Sequence, residues 1–211
     1  MIDDRYLFNR HFSKAFVDSG KEKDLSAWTI KVICGFAGSV DIELDPNAPN
    51  VPETDRLPSR LYTITLVSRI NQRRLGTRYV RRGLDFDGNA ANNVEMEQIV
   101  FHHDFIKYKA ISSHVQWRGS APAIWGQELD LSYKPKLLIA DISRPDIWTA
   151  IEKHYKDLAG QYVTEGNAKD DGKIICVNLL DTAKFEGPLT ETYEETVKRA
   201  QNEKIEYEGE L

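Results

Sequence analysis

RINQRRLGTRYVRRGLDFDGNAANNVEMEQIVFH, residues 69–102, holds both the charge signal and the turn signal around which the rest of the chain is arranged. Asp87 and Gly88 form an Asp-Gly pair between two strand-like runs, the strongest short-range hairpin signal, so residues 77–83 and 92–101 are expected to pair. Side chains alternate across a strand, which would set Arg78 and Arg82 on one face with Val80, and Arg81 on the other with Tyr79. Six arginines and no acid stand between Arg69 and Arg82, in a chain of formal charge -5 that would otherwise stand at -11. The basic patch is therefore local. Arginine favours phosphate or carboxylate partners, because its planar guanidinium donates two parallel hydrogen bonds and never loses its charge.

Working outward from this stretch, residues 3–20 space Leu7, Phe8, Phe12, Ala15 and Phe16 as a helix would and close at Gly20. Residues 28–44 are rich in β-branched and aromatic side chains and read as a strand or a bent pair, with Gly35 and Gly38 permitting a bulge. Half of the prolines fall in 45–59, which reads as a surface loop, and 60–70 alternates as a strand. Downstream, 105–120 reads as a strand and 135–141 as a short apolar one. A helix follows, with Ser143 as cap, Pro145 in the first turn, and a stripe of Ile147, Trp148, Ile151, Tyr155 and Leu158 ending at Gly160. KIICVNLL at 173–180 reads as a buried strand, and 190–204 as an amphipathic helix carrying Tyr193, Val197 and Ala200. Residues 186–211 hold eight acids against three bases, a solvated acidic surface. The expected class is α/β, a mixed sheet flanked by helices.

A chain of 211 residues with 41% hydrophobic content can bury a sizeable core in one domain or two small ones. No apolar run reaches the roughly 18 residues a membrane-spanning helix needs, and the first residues lack the pattern of a signal peptide. Cys34 and Cys176 lie inside apolar runs, where cysteine usually behaves as a small buried hydrophobe. A soluble, intracellular protein in a reducing compartment is expected.

GTRYVRRGLDFDGNAANNVEMEQIV, residues 76–100, resembles the long signature of the Sac-domain phosphoinositide phosphatases, without a gap. SHVQWRGSAPAIWGQ, residues 113–127, looks like that family's second motif, and DDRYLFNRHF, residues 3–12, like the segment upstream of both. The resemblance runs from Asp3 to about Gln201, with Met96, Phe8 and Ile124 standing where the family commonly has threonine, tryptophan and an aromatic residue. These swaps mark a divergent member with its packing retained.

The resemblance implies a partial Sac phosphatase domain over 1–211, from a protein that removes phosphate from inositol lipids on a cytosolic membrane face through a cysteine nucleophile in a Cys-x5-Arg loop. Val40 stands six residues past Cys34, and Thr182 six past Cys176, so neither cysteine meets that pattern. The expectation is a middle portion of the domain, inactive alone, with no catalytic residue of its own and no cofactor or metal. Arg78, Arg81, Arg82 and Arg118 are the candidate substrate-binding residues. The alternative is a catalytically dead phosphoinositide-binding module using Arg78, Arg81 and Arg82. A location in the cytoplasm, peripheral to endomembranes, follows from the same resemblance. Phosphoinositide lipids are the expected partner. Nucleic acid is disfavoured by the negative net charge and the lack of a recognisable motif.

Each feature also has a structural reading. The arginines could pair with Glu95 and Glu97 across the hairpin, and Arg118 could cap the turn at Gly119. Asp85 and Asp87 read as turn residues without a catalytic role. Adjacent His102 and His103 would point to opposite sheet faces and not share a metal ion. Trp117, Trp125 and Trp148 read as core or its edges.

Overall fold

The computed structural model describes residues 3–18, 30–43, 61–77, 80–103, 111–128, 135–162 and 174–202. The chain divides into two compact units, the first made of Met1–Gln72 and Val94–Arg118, the second of Arg73–Asn93 and Gly119–Leu211. The α/β class read from the sequence holds, with antiparallel sheets and helices. The expected loop at 45–59 lies outside the described residues, as do Gly20, Arg78 and Tyr79.

In the first unit, β1 (Gly35–Glu43), β2 (Leu61–Ile70), β3 (Val94–His102) and β4 (Ile111–Arg118) form one antiparallel sheet in that order. Alternating β-branched residues suit β2 to the centre of a pleated sheet. Its register runs from Gly35↔Arg69 to Glu43↔Leu61 on one side, and from Tyr62↔His102 to Ile70↔Val94 on the other. The β1 register is continuous, so the permitted bulge does not form. Cross-strand hydroxyl bonds reinforce it: Thr63 donates to Asp41 at 2.6 Å, and Ser39 and Thr65 share a bond at 2.8 Å. Before the sheet, the single helix expected over 3–20 is two pieces. A 3-10 turn (Asp4–Tyr6), capped by the Asp3 carboxylate at the Arg5 amide, leads to an isolated bridge between Leu7 and Ile33. Only then does α1 (Arg10–Asp18) begin. The helix-like spacing at Leu7 and Phe8 was real, but the Leu7 backbone is taken by the bridge and the Phe8 amide by Val32.

The hairpin expected between 77–83 and 92–101 is absent, because β3 pairs instead with β2 and β4. Among the described residues of that run, 77 and 80–83, none is in a strand, and Arg78 and Tyr79, on which the expected alternation of the arginines also rests, lie outside the described residues.

The second unit is built on α2 (Pro145–Tyr162), where Ile147, Trp148, Ile151, Tyr155 and Leu158 are all buried as the spacing predicts. Ser143 is not its cap; its amide sits in a turn, bonded to the Asp141 carboxylate at 2.9 Å. α3 (Gly187–Asn202) buries Leu189, Thr190 and Thr196, whereas Tyr193, Val197 and Ala200 are only half-buried. Thr196 gives its proton to the Tyr193 carbonyl at 2.7 Å, so the 3.3 Å contact with Tyr155 is a bond donated by the Tyr155 hydroxyl. Arg199 lies 3.9 Å over the Trp148 ring and donates to the Ile142 carbonyl at 3.2 Å. β5 (Trp125–Gln127) and β6 (Leu137–Ile139) form a second, two-stranded antiparallel sheet.

The buried strand expected at 173–180 does not form. Residues 174–179 have no regular structure, and Ile175, Val177 and Leu179 are exposed. Cys176 within that run and Cys34 ahead of β1 are exposed free thiols, contrary to the expected burial. An apolar run is buried only when another surface covers it, and among the described residues none covers Ile175, Val177 or Leu179.

Candidate anion-binding loop

Asp85 organises the turn inside the longest motif, residues 76–100. Its Oδ1 accepts from the amides of Asp87 at 3.1 Å and Asn89 at 2.8 Å, while its carbonyl accepts from the Gly88 amide at 3.1 Å. Gly88 adopts φ 81°, which the turn requires and a glycine meets without strain. The turn closes on one bridge, Leu84 to Ala90. This is the turn chemistry expected of Asp85, and its carboxylate is occupied by it.

Residues 119–127 then lock onto this loop. The Leu84 amide donates to the Ala123 carbonyl at 2.8 Å, the Gly83 amide to the Ser120 hydroxyl at 2.8 Å, and the Ser120 amide to the Ala91 carbonyl at 3.1 Å. Gly83 stands at φ 61°, where a side chain would press on the Ala123 carbonyl and on Trp125. Leu84, Ala90, Ala91 and Ala123 are buried together in this unit. The two motifs quoted as separate runs therefore meet in one piece of structure.

The arginines divide by role. Arg69 belongs to β2, where its guanidinium pairs with the buried Glu95 of β3 and lies 4.8 Å over the Tyr6 ring. The Tyr6 hydroxyl donates to the other Glu95 oxygen at 3.1 Å. Pairing of Glu95 with an arginine was anticipated, but its partner comes from β2 rather than from a hairpin. Arg74 is also structural: it donates to the carbonyls of Arg82 at 2.9 Å and Gly83 at 3.2 Å, with the Asp85 carboxylate 3.9 Å away.

Arg82 is half-buried and donates through Nε and Nη2 to the Gln127 side-chain oxygen at 3.1 and 2.9 Å, with its guanidinium 5.3 Å over the Trp125 ring. Gln127 is a neutral amide, so this bond orients the guanidinium without cancelling its charge. Arg81 is exposed, and its backbone amide closes a turn on the Thr77 carbonyl at 2.9 Å. Arg118 is exposed at the end of β4, opposite Val94, in the first unit. Arg81 and Arg82 thus share the second unit, and Arg78 lies outside the described residues. Oriented and exposed guanidiniums on one loop are a means of holding a phosphate by charge-assisted hydrogen bonds.

Sequence reasoning missed two supports. Gln127, the last residue of the second motif, carries Arg82, and no composition or periodicity signal marks it. His154 on α2 is buried and donates from Nδ1 to the Gly88 carbonyl at 2.9 Å; burial, partly opposed by that bond and by Asp157, depresses its pKa to about 4. It is neutral at pH 7 and fixes the Asp-Gly turn to the helix. His102 and His103 have separate partners: His102 stacks on Tyr62 at 4.7 Å, and His103 shares a 2.6 Å bond with the Thr63 hydroxyl. Trp148 is buried, and Trp117 and Trp125 are half-buried.

The family described as the SacI homology domain matches residues 1–209. The phosphoinositide phosphatase SAC8 of Arabidopsis thaliana is 34% identical over 191 residues, covering 90% of this chain and 27% of the relative. The phosphatidylinositol-3-phosphatase SAC1 of Saccharomyces cerevisiae is 30% identical over 207 residues, 97% of this chain and 29% of the relative. The phosphatidylinositide phosphatase SAC2 of Mus musculus is 29% identical over 220 residues, 98% of this chain and 18% of the relative. The chain spans less than a third of the length of these curated relatives. Among the described residues, no helix is long and apolar enough to cross a membrane.

Proposed function

This chain belongs to the SacI homology domain family, and from that premise we propose that it is the segment of a phosphoinositide phosphatase that helps hold the inositol phosphate headgroup. The observation that carries this reading is the interlocked loop: residues 80–93 and 119–127, drawn from two motifs of the family, fold against each other and orient Arg82 while leaving Arg81 exposed. Relatives named for action on phosphoinositides support the choice of anion. Arg78, Arg81 and Arg82 are the proposed phosphate-binding residues of the second unit, and Arg118 is proposed as a phosphate contact of the first unit in its own right, each contributing electrostatic stabilisation without chemistry of its own. A cysteine nucleophile would come from elsewhere, since neither Cys34 nor Cys176 is followed by an arginine at the required spacing. The 211 residues alone are then inactive, and the protein works at the cytosolic face of an internal membrane without a cofactor.

Flotation with liposomes tests this directly. The chain should float with phosphatidylcholine vesicles containing a phosphatidylinositol phosphate at low salt, and less so as salt rises. Failure to float at low salt would remove the reading. The second reading, a binding module with no catalytic partner, is favoured by the same arginines and by the missing Cys-x5-Arg pattern. Phosphate release by the full-length protein that contains this chain separates the two.

A further inference from the structure

We propose that residues 174–179 are a docking strand, which pairs with a sheet edge from the part of the phosphatase polypeptide that carries the cysteine nucleophile and buries Ile175, Val177 and Leu179 against it. This rests on the reading that the chain is a segment of a phosphoinositide phosphatase, and adds to it the surface by which the segment meets the rest.

Ile175, Val177 and Leu179 are 85%, 69% and 91% exposed. Asn178 and Leu180 alternate with them and are half-buried, and the Cys176 thiol shares a hydrogen bond with the Tyr193 hydroxyl of α3. Exposure thus alternates with the period of a strand. Among the described residues, no backbone hydrogen bond is made by residues 174–179. Their downstream end is nevertheless held in place. The Leu180 amide donates to the Asn178 side chain at 2.9 Å, the Asp181 amide to the Glu186 carboxylate at 3.0 Å, and the Thr190 hydroxyl of α3 to the Asp181 carbonyl at 3.0 Å. Main-chain groups without partners beside outward apolar side chains are a template for strand addition, and an anchored segment loses little further freedom when an edge pairs with it.

Other exposed apolar side chains lie on backbone that is already bonded. Phe36 and Val40 belong to β1, paired along its length with β2, and Phe12 sits on the helix α1. Residues 30–33 are tied to the Asn9 side chain, the Phe8 amide and the Leu7 bridge, and the Val80 amide closes a turn on Thr77. No charged residue falls between 174 and 180, so the surface suits an apolar protein strand rather than an anionic partner. A second copy would meet it through these six residues, where a stable interface engages about 20–30 a side. A strand of the same polypeptide instead arrives at high effective concentration. More than two thirds of each curated relative lies outside the stretch that this chain matches, which leaves ample polypeptide to supply it. Residues 174–179 share the second unit with Arg81 and Arg82, so a strand seated there joins the nucleophile-bearing part to the unit of the phosphate-binding arginines.

Hydrogen exchange read by mass spectrometry, on the full-length protein that contains this chain and on the 211 residues alone, tests the proposal. Alternate amides from Ile175 to Leu179 should exchange at least roughly a hundredfold more slowly in the full-length protein. Val177→Asp in the full-length protein should abolish that protection and the release of phosphate while the α2 amides stay protected. In the 211 residues the same substitution falls on an exposed side chain and should leave binding of a soluble short-chain phosphatidylinositol phosphate unchanged. Should the full-length variant not fold, the comparison of the two unsubstituted proteins decides by itself. Fast exchange at these amides in both proteins would overturn the proposal, as would slow exchange in both, or protection of the 211 residues that rises with their concentration and so marks a second copy. Protection without any headgroup binding would sink the headgroup reading and leave this surface standing; headgroup binding without protection would sink this inference alone.

Discussion

The Nδ1 of His154 donates to the Gly88 carbonyl oxygen at 2.9 Å, joining the middle of α2 to the Asp-Gly turn of the arginine-bearing loop. The ring is buried, and Lys153 beside it donates to the Phe86 carbonyl at 3.3 Å, so helix and turn are fastened at neighbouring points.

Acid should loosen this joint. Burial holds the His154 pKa at about 4, below the ordinary value of 6.5. The unfolded chain therefore binds the extra proton first as pH falls, and the stability contributed by the neutral ring is fully present above pH 6.5 and lost between there and about 4. The loss is on the order of 3 kcal/mol, taking about 1.4 kcal/mol for each pKa unit. Thermal unfolding of the parent and of His154→Asn, compared at pH 7 and pH 4.5, should show a smaller acid-induced drop for the variant.

Gly83→Ala should be strongly destabilising. At φ 61° a side chain is strained in any surroundings, and here its Cβ would come within 2.5 Å of the Ala123 carbonyl oxygen and 2.8 Å of Trp125. A cost of about 2–3 kcal/mol is expected from strain and displaced packing, measurable as a lowered midpoint in urea. Gly126→Ala is the control, because nothing lies within 4 Å of a Cβ there.

Glu95 is buried with its two oxygens on Arg69 and on Tyr6. Arg69→Met should destabilise by about 2 kcal/mol, below the full value for a buried pair because the Arg69 side chain is partly exposed. Tyr6→Phe should cost about 1 kcal/mol. A double-mutant cycle of Arg69→Met with Glu95→Gln should give clearly non-additive unfolding energies, and additivity would mean that the pair is not coupled.

The isolated chain should release no phosphate from a phosphatidylinositol phosphate above a buffer blank. Turnover by the 211 residues would require a nucleophile that neither Cys34 nor Cys176 was expected to supply. Their replacement by serine would then show which one acts.

Much of this architecture was legible where the sequence repeats with a period. The stripe from Ile147 to Leu158 could only be one buried helix face, and the alternation at 61–70 only a strand. What failed lacked such a constraint. KIICVNLL is apolar without periodicity, and a strand there needs a neighbouring edge that residues 174–179 do not find among the described residues. Asp87-Gly88 did mark a turn, but a turn signal does not say how far pairing extends; a single Leu84–Ala90 bridge is all it closes, while β2 claims β3. Within the candidate site, charge density found the arginines but could not sort Arg69 and Arg74, which brace the fold, from the exposed Arg81. That sorting depends on Glu95 and on the carbonyls of Arg82 and Gly83, contacts between residues distant or oddly spaced in the chain.

Titration calorimetry of the chain with a water-soluble short-chain phosphatidylinositol phosphate isolates the headgroup contact from any bilayer effect. Saturable binding is predicted, weakened roughly tenfold by Arg81→Ala, as for the loss of one charge-assisted contact, and unaltered by Asp87→Asn. No binding, or equal affinity of the parent and Arg81→Ala, would contradict the claim that this loop holds the phosphate.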